Sequence, residues 1–207
     1  VIAEACYSAG GQNSTTLCPN GQTTQAGTGA ASPDRCIALG LQGCEHGTHV
    51  AGIAAGSTSG LSGVAPGANI VAVQVFSQVQ LSQPQAWYAD ILSGLNYVYS
   101  LRTTYSIAAV NLSLGSEAYS NHCDSAFPAM TTSFAQLRTT GIAPVVATGN
   151  NGYTSQISFP ACISHAVSVG ASTDGDARAS FSNTAAGIQE LFAPGVSIFS
   201  SVPPNSQ

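Results

Sequence analysis

Lysine is absent from this chain of 207 residues, and its four cations are all arginine: Arg35, Arg102, Arg138 and Arg178. Against nine acidic residues they leave a formal charge of -5, so no basic face exists to follow a phosphate backbone, and nucleic acid is not an expected partner. Charged residues of all kinds make up only 6% of the chain. The surface must therefore be covered by Ser, Thr, Asn, Gln and Gly, a balance foreign to most cytosolic proteins. Also missing is any apolar run approaching the roughly 20 residues that cross a bilayer, so no membrane association is expected. The start, Val1-Ile2-Ala3-Glu4, lacks the basic and apolar regions of a secretory leader, and any such leader is expected to lie outside this sequence. No C-x-x-C pair occurs, which speaks against metal fingers and thioredoxin-type redox chemistry.

What the chain does contain is six isolated cysteines: Cys6, Cys18, Cys36, Cys44, Cys123 and Cys162. Disulfides in an oxidising, extracellular compartment fit them best. Four crowd the first 44 residues, a stretch with little apolar surface that needs stapling. The expected pairs are Cys6 with Cys18 and Cys36 with Cys44, although four cysteines allow three pairings; Cys123 with Cys162 then remains. The length suits a single domain over residues 1–207, expected to be a monomer, with 1–45 as its loop-rich, disulfide-stapled part.

Beyond that stretch, short apolar runs alternate with helical ones, the pattern of an α/β protein whose parallel sheet is covered by helices. Residues 70–76, 107–112, 142–147 and 166–171 read as strands. Between the first two, residues 85–102 place Trp87, Ile91, Leu95 and Val98 at helical spacing after Pro84. Between the next two, residues 124–140 place Ala126, Met130, Phe134 and Leu137 on one face, with Gly141 as the stop. In such sheets catalytic groups gather at the carboxyl ends of the strands, where residues 111–115 and 148–152 fall.

The motif with the sharpest chemistry is His46-Gly47-Thr48-His49-Val50-Ala51-Gly52, a histidine opening a helix whose inner face is Gly and Ala. Small residues let such a helix press against its neighbour, holding the imidazole where a general base must sit. Two further segments, Val110-Asn111-Leu112-Ser113-Leu114-Gly115 and Pro144-Val145-Val146-Ala147-Thr148-Gly149-Asn150-Asn151-Gly152, end apolar strands in small polar residues. The Asn150 amide stands in a Gly-flanked turn, from which it can donate to an oxyanion formed in a transition state. A Gly-Asn pair at a strand end is equally the composition of an ordinary turn.

In order, the blocks HGTHVAG, VNLSLG, PVVATGNNG, FPACISHAVSVGAS, FSN and FAPGVSI resemble those of the subtilisin-like (S8) serine proteases. The resemblance runs over the whole chain and implies a three-layer fold, a mostly parallel sheet flanked by helices, incomplete here. It implies that His46 is the general base and Asn150 the side-chain donor of the oxyanion hole. Ser113, Leu114 and Gly115 would be the strand that pairs with a peptide substrate. Ala147, Thr148 and Gly149 would form the opposite wall of the specificity pocket, and residues 79–82 the other flanking strand. The small neutral walls, with Asn151 beside Asn150, lead to an expected preference for large apolar side chains.

Two parts of the family pattern have no counterpart. No D-[ST]-G turn occurs for the catalytic Asp, and no G-T-S-M-A for the nucleophilic Ser. Asp34 follows Gly, Ala, Ser and Pro and reads as a solvated loop residue; Asp90 falls inside a helix; Glu45 adjoins His46 but cannot easily turn back to its ring. Because the triad works as a unit, this chain alone is expected to be inactive. Its lost parts are expected to leave sheet edges and apolar surface open. The alternative is a non-catalytic peptide-binding module of the same fold. A nucleotide-binding domain is disfavoured by the lack of a glycine-rich phosphate loop. For metals, His46 and His49 lie three apart on one helix, but zinc lacks further ligands, and His122 and His165 read as solvated. The loop after the helix, residues 56–63 (GSTSGLSG), has no carboxylate for the family's calcium site. Asp174 and Asp176 leave calcium possible elsewhere, though a plain turn explains them.

Overall fold

The computed structural model describes residues 1–9, 13–79 and 83–204. They form two compact units, one of Val1–Val98 together with the Phe199–Gln207 end, the other Tyr99–Ile198.

In the first unit, β1 (Ala3–Tyr7), β2 (Ser14–Thr16) and β3 (Thr24–Ala26) precede α1 (Asp34–Ala38) and α2 (His46–Ala55). A hairpin of β4 (Ser57–Thr58) and β5 (Leu61–Ser62) follows, then β6 (Val71–Gln74), β7 (Phe76–Val79), β8 (Gln83–Ala86) and α3 (Tyr88–Ser100). Strand β1 is central to a small sheet, antiparallel to β3 and parallel to β6. Its Ala5 and Cys6 are fully buried.

The apolar run at 70–76 is not one strand. The Gln74 carboxamide accepts from the Phe76 amide and donates to the Phe76 carbonyl at 2.9 Å, a side chain doing the work of a ladder partner. At this break β6 ends and β7 turns into a second, antiparallel sheet of order β2-β7-β8. Pro84, expected to introduce a helix, lies in β8 instead. It is tolerated because β8 is an edge strand, where a missing N–H costs no ladder bond. The helix starts later, as α3, and buries Ile91, Leu95 and Val98 as their spacing predicts, while Trp87 precedes it and remains 36% exposed. Gly94 sits where a Cβ would lie 3.0 Å from Val75 and 3.1 Å from Val73, so its lack of a side chain sets how closely α3 approaches β6.

The second unit holds β9 (Ala109–Leu112), β10 (Ala118–Tyr119), α4 (Pro128–Thr139), β11 (Ala143–Ala147), β12 (Ile157–Ser158), β13 (Val167–Ser172) and β14 (Leu191–Pro194). Its sheet runs β14-β13-β11-β9 and is parallel throughout. Helix α4 opens on Pro128, whose fixed φ suits a first helical position, and ends before Gly141 at φ 81°. Met130, Phe134 and Leu137 are 0% exposed against the sheet, each contributing about 1.5–3 kcal/mol of apolar burial. Ala126 is exposed and lies ahead of the helix. Strand β14 was not among the expected strands; all four of its residues are exposed, Leu191 by 53% and Phe192 by 48%. Among the described residues β9 and β6 are each paired on one side only.

The three disulfides are Cys6–Cys18, Cys36–Cys44 and Cys123–Cys162, the pairs expected from the sequence. Around the third, Cys123 N donates to Cys162 O at 3.0 Å, and Asp124 Oδ1 accepts from Ser164 N at 3.2 Å and Ser164 Oγ at 2.9 Å. Partial burial pushes the Asp124 carboxyl up, but the bonds from Ser164, with those from its own backbone amide and from Thr131, outweigh it and hold the group below its ordinary value of 3.8. A carboxyl whose folded value is depressed binds protons more readily in the unfolded chain. Its stabilisation is thus present above pH 3.8 and is lost as pH falls through the folded value. Urea denaturation between pH 2 and pH 5 should show a shallower acid loss of stability in Asp124→Asn than in the parent; equal slopes would refute this.

Candidate active site

His46 is the first residue of α2 and is exposed, with its backbone N donating to Gly43 O at 3.2 Å. Among the Gly and Ala residues of α2 only Gly52 is buried, and the helix packs beside the β4–β5 hairpin. The close approach is made elsewhere: a Cβ on Gly52 would overlap Ser200 Oγ and lie 2.8 Å from Ser201 Oγ. Ser200 Oγ donates to His49 O at 2.7 Å. Residues 56–63, read as a short loop, include the β4–β5 hairpin, with Leu61 Cδ2 2.9 Å from the Cβ position of Gly56.

In the second unit the parallel ladder pairs Val145 with Asn111 and Val146 with Leu112, so the chain leaves β9 and β11 side by side. Ser113, Leu114 and Gly115 continue from the end of β9, while Ala147 is the last residue of β11 and Thr148 and Gly149 follow it. Ser158 lies beneath both, 3.2 Å by its Cβ from the Cβ position of Gly115 and 3.1 Å from that of Gly149. Ala147 is half-buried, whereas Thr148 is 1% exposed and points into the fold, its Oγ1 donating to Asn183 O at 2.8 Å. Thr148 is thus committed inside by its backbone as well as its hydroxyl, with its N donating to Val169 O at 3.0 Å and its O accepting from Ser158 N at 2.8 Å.

Gly149 takes φ 104°, a conformation that side chains resist, and a Cβ there would overlap Ser158 Oγ and Asn183 Nδ2. The next residue, Asn150, is exposed at the turn, and Asn151 beside it is exposed too. Gly152, at φ 73°, closes the turn, its N donating to Phe181 O at 2.7 Å.

His46 belongs to the first unit, and Asn150 with the six flanking residues belongs to the second. The family model described as the subtilase family matches residues 40–207. The chain belongs to the subtilase family. Subtilisin DY of Bacillus licheniformis is 34% identical over 166 residues, covering 78% of this chain and 55% of that protein. Alkaline protease 1 of Aspergillus clavatus is 37% identical over 161 residues, covering 75% of this chain and 35% of the relative. Among solved structures, a cold-adapted subtilisin-like serine proteinase superposes with a TM-score of 0.58 at 30% identity, over 76% of this chain and 51% of that one. The chain spans about half the length, or less, of these relatives. Its fold is accordingly an incomplete three-layer subtilisin-like α/β fold.

Other expectations fare variously in this subtilase. Asp34 is exposed but begins the short helix α1, with Pro33 at the N-cap, instead of lying in a loop. Asp90 is 3% exposed in the first turn of α3, its Oδ1 accepting from Ala9 N at 3.1 Å, so its carboxylate is committed to backbone. Of the flanking strand expected at 79–82, Val79 ends β7, and residues 80–82 lie outside the described residues. Asp174 and Asp176 sit in a turn closed by Asp176 N to Thr173 O at 3.1 Å. His122 Nδ1 lies 3.3 Å from Cys162 O, and the His165 carbonyl accepts from Arg138 Nη1 at 3.2 Å. Among the described residues no three His, Cys, Asp or Glu side chains gather as a metal site would need. No helix among them is long and apolar enough to cross a membrane.

The residue that the sequence did not single out is Asn183. It is 0% exposed and bonds to both ends of the Asn150 turn. Its only trace in the sequence is its place in the FSN block, where nothing distinguishes a buried hub from a turn residue.

Proposed function

We propose that the protease to which this chain belongs is a secreted serine endopeptidase that hydrolyses peptide bonds through a Ser-His-Asp triad. His46 takes the serine proton as general base and returns it to the leaving amine. The Asn150 carboxamide donates to the oxygen that gains charge in the tetrahedral intermediate. Ser113, Leu114 and Gly115 pair with the extended substrate, and Ala147, Thr148 and Gly149 wall the pocket for the residue before the scissile bond. Residues 1–207 form parts of one catalytic domain.

The observation that supports this reading most is the parallel β9–β11 ladder, which delivers residues 113–115 and 147–150 to one end of one sheet. Since the 207 residues contain neither G-T-S-M-A nor D-[ST]-G, the chain by itself holds the base and oxyanion donor without the nucleophile or the orienting carboxylate. It should not turn over peptides alone.

A fluorophosphonate probe tests both statements. The isolated chain should remain unlabelled while the full gene product labels stoichiometrically; labelling of the isolated chain would refute the missing-serine reading. An unlabelled but folded gene product would favour the peptide-binding module. With a labelled one, a peptide library should select large apolar side chains before the cut, and selection of Arg or Lys would count against the pocket assignment.

A further inference from the structure

We infer that Asn183 is a positioning residue that holds the Asn150 carboxamide in its donating geometry, an inference that rests on the oxyanion reading given above. The case begins with what Asn150 lacks. It is exposed on a turn between Gly149 and Gly152, both at positive φ, so neither its own burial nor the local backbone preference fixes where its amide points. An oxyanion donor acts only if it is in place before the charge forms, and a turn of this composition needs an outside scaffold.

Asn183 supplies that scaffold from 33 residues further along the chain. Its Oδ1 accepts from Asn151 N at 2.9 Å and from Tyr153 N at 3.1 Å, fixing the backbone just after Asn150. Its Nδ2 donates to Thr148 O at 3.1 Å, just before Asn150, and is shared with Asn151 Oδ1 and Ser158 Oγ, both at 3.3 Å. Its backbone joins in, with Asn183 N donating to Gly149 O at 2.9 Å and Asn183 O accepting from Thr148 Oγ1 at 2.8 Å. One planar amide thus spans the turn on both sides of residue 150. The segment around Asn183 continues the clamp, since Gly152 N donates to Phe181 O at 2.7 Å and Thr184 N to Tyr153 O at 2.8 Å.

Asparagine is the side chain this task requires. It presents an acceptor and a donor on one rigid plane, about the width of a peptide group, so it replaces the partner strand that the turn does not have. Aspartate would keep the acceptor for Asn151 and Tyr153 but set a carboxylate against Thr148 O. Serine would reach only one side. Full burial makes these bonds strongly orienting, because no water competes for them.

The experiment is a double-mutant cycle in the full gene product, reading kcat and KM separately on a peptide substrate. Asn183→Ala should lower kcat on the order of tenfold to a hundredfold with little change in KM, as expected for a catalytic group displaced by about 1 Å. In an Asn150→Ala background the same change should cost nothing further, because a residue that acts only through Asn150 has nothing left to position. A residue that merely holds the fold together would lower activity equally in both backgrounds, and that result, or an unchanged kcat, overturns the proposal. If Asn183→Ala does not fold, Asn183→Asp enters the same cycle with the same criteria. Insensitivity of the parent to Asn150→Ala would instead overturn the oxyanion reading itself. On the 207-residue chain, amide exchange gives a readout independent of turnover. Asn151 and Tyr153 should lose protection in the variant while residues 143–147 keep theirs, and unchanged protection at Asn151 and Tyr153 also overturns the proposal.

Discussion

Replacing Gly149 by alanine should destabilise the second unit by about 4 kcal/mol and remove the Asn150 turn from its present path. Two effects add. A non-glycine residue at φ 104° carries about 1–3 kcal/mol of backbone strain. A Cβ at this position also overlaps Ser158 Oγ and Asn183 Nδ2 and approaches Ser158 Cβ to 3.1 Å, an overpacked contact costing about 1–3 kcal/mol more. Neither neighbour can withdraw cheaply. Ser158 is 2% exposed, its N bonded to Thr148 O at 2.8 Å, and moving Asn183 breaks the bonds that shape the turn. Gly141, also at positive φ but with nothing near its Cβ position, is the internal control: alanine there should cost the strain alone. Urea denaturation of both variants checks this, and equal losses at the two positions would refute the steric half of the argument.

Removing the Cys123–Cys162 bridge should cost about 4 kcal/mol, the largest effect of the three disulfides. The closure entropy taken from the unfolded chain grows with the logarithm of loop length. This bridge closes a separation of 39 residues, against 12 for Cys6–Cys18 and 8 for Cys36–Cys44. For the short loops the same relation gives about 2.5–3 kcal/mol. The native contacts around the long bridge, Cys123 N to Cys162 O and Asp124 to Ser164, do not need the sulfur bond and should persist without it. The loss then comes from freedom gained on unfolding. Paired Cys→Ser variants at each bridge, compared by denaturant midpoint, should rank in the order 39, 12, 8. A Cys123→Ser/Cys162→Ser loss below about 1 kcal/mol would contradict the chain-entropy account.

How far the sequence carried the fold depended on the range of the interaction concerned. Strands β9, β11 and β13 and the buried faces of α3 and α4 were legible because periodicity is local, and Met130, Phe134 and Leu137 fell inward as their spacing required. Failures came where a distant or unusual partner decided the outcome. The Gln74 side chain split an apolar run into two strands, and the β7–β8 ladder took Pro84 into an edge strand opposite Gln78. Strand β14 escaped notice because none of its four residues is buried, so no hydrophobic alternation marks it. For the site, residues 111–115 and 148–152 were read at strand ends, and the structure has them at the ends of the neighbouring strands β9 and β11. The Asn183 clamp was invisible, since side-chain bonds across 25–35 residues leave no periodic signature.

The bond from Ser200 Oγ to His49 O joins residues 151 positions apart. Every contact of that kind must wait for the intervening chain to be synthesised and brought to heel, because closing so long a loop loses entropy before any contact repays it. The Gly52 surface of α2, cut to fit Ser200 and Ser201, therefore stays bare on a ribosome-bound nascent chain until residue 201 has emerged.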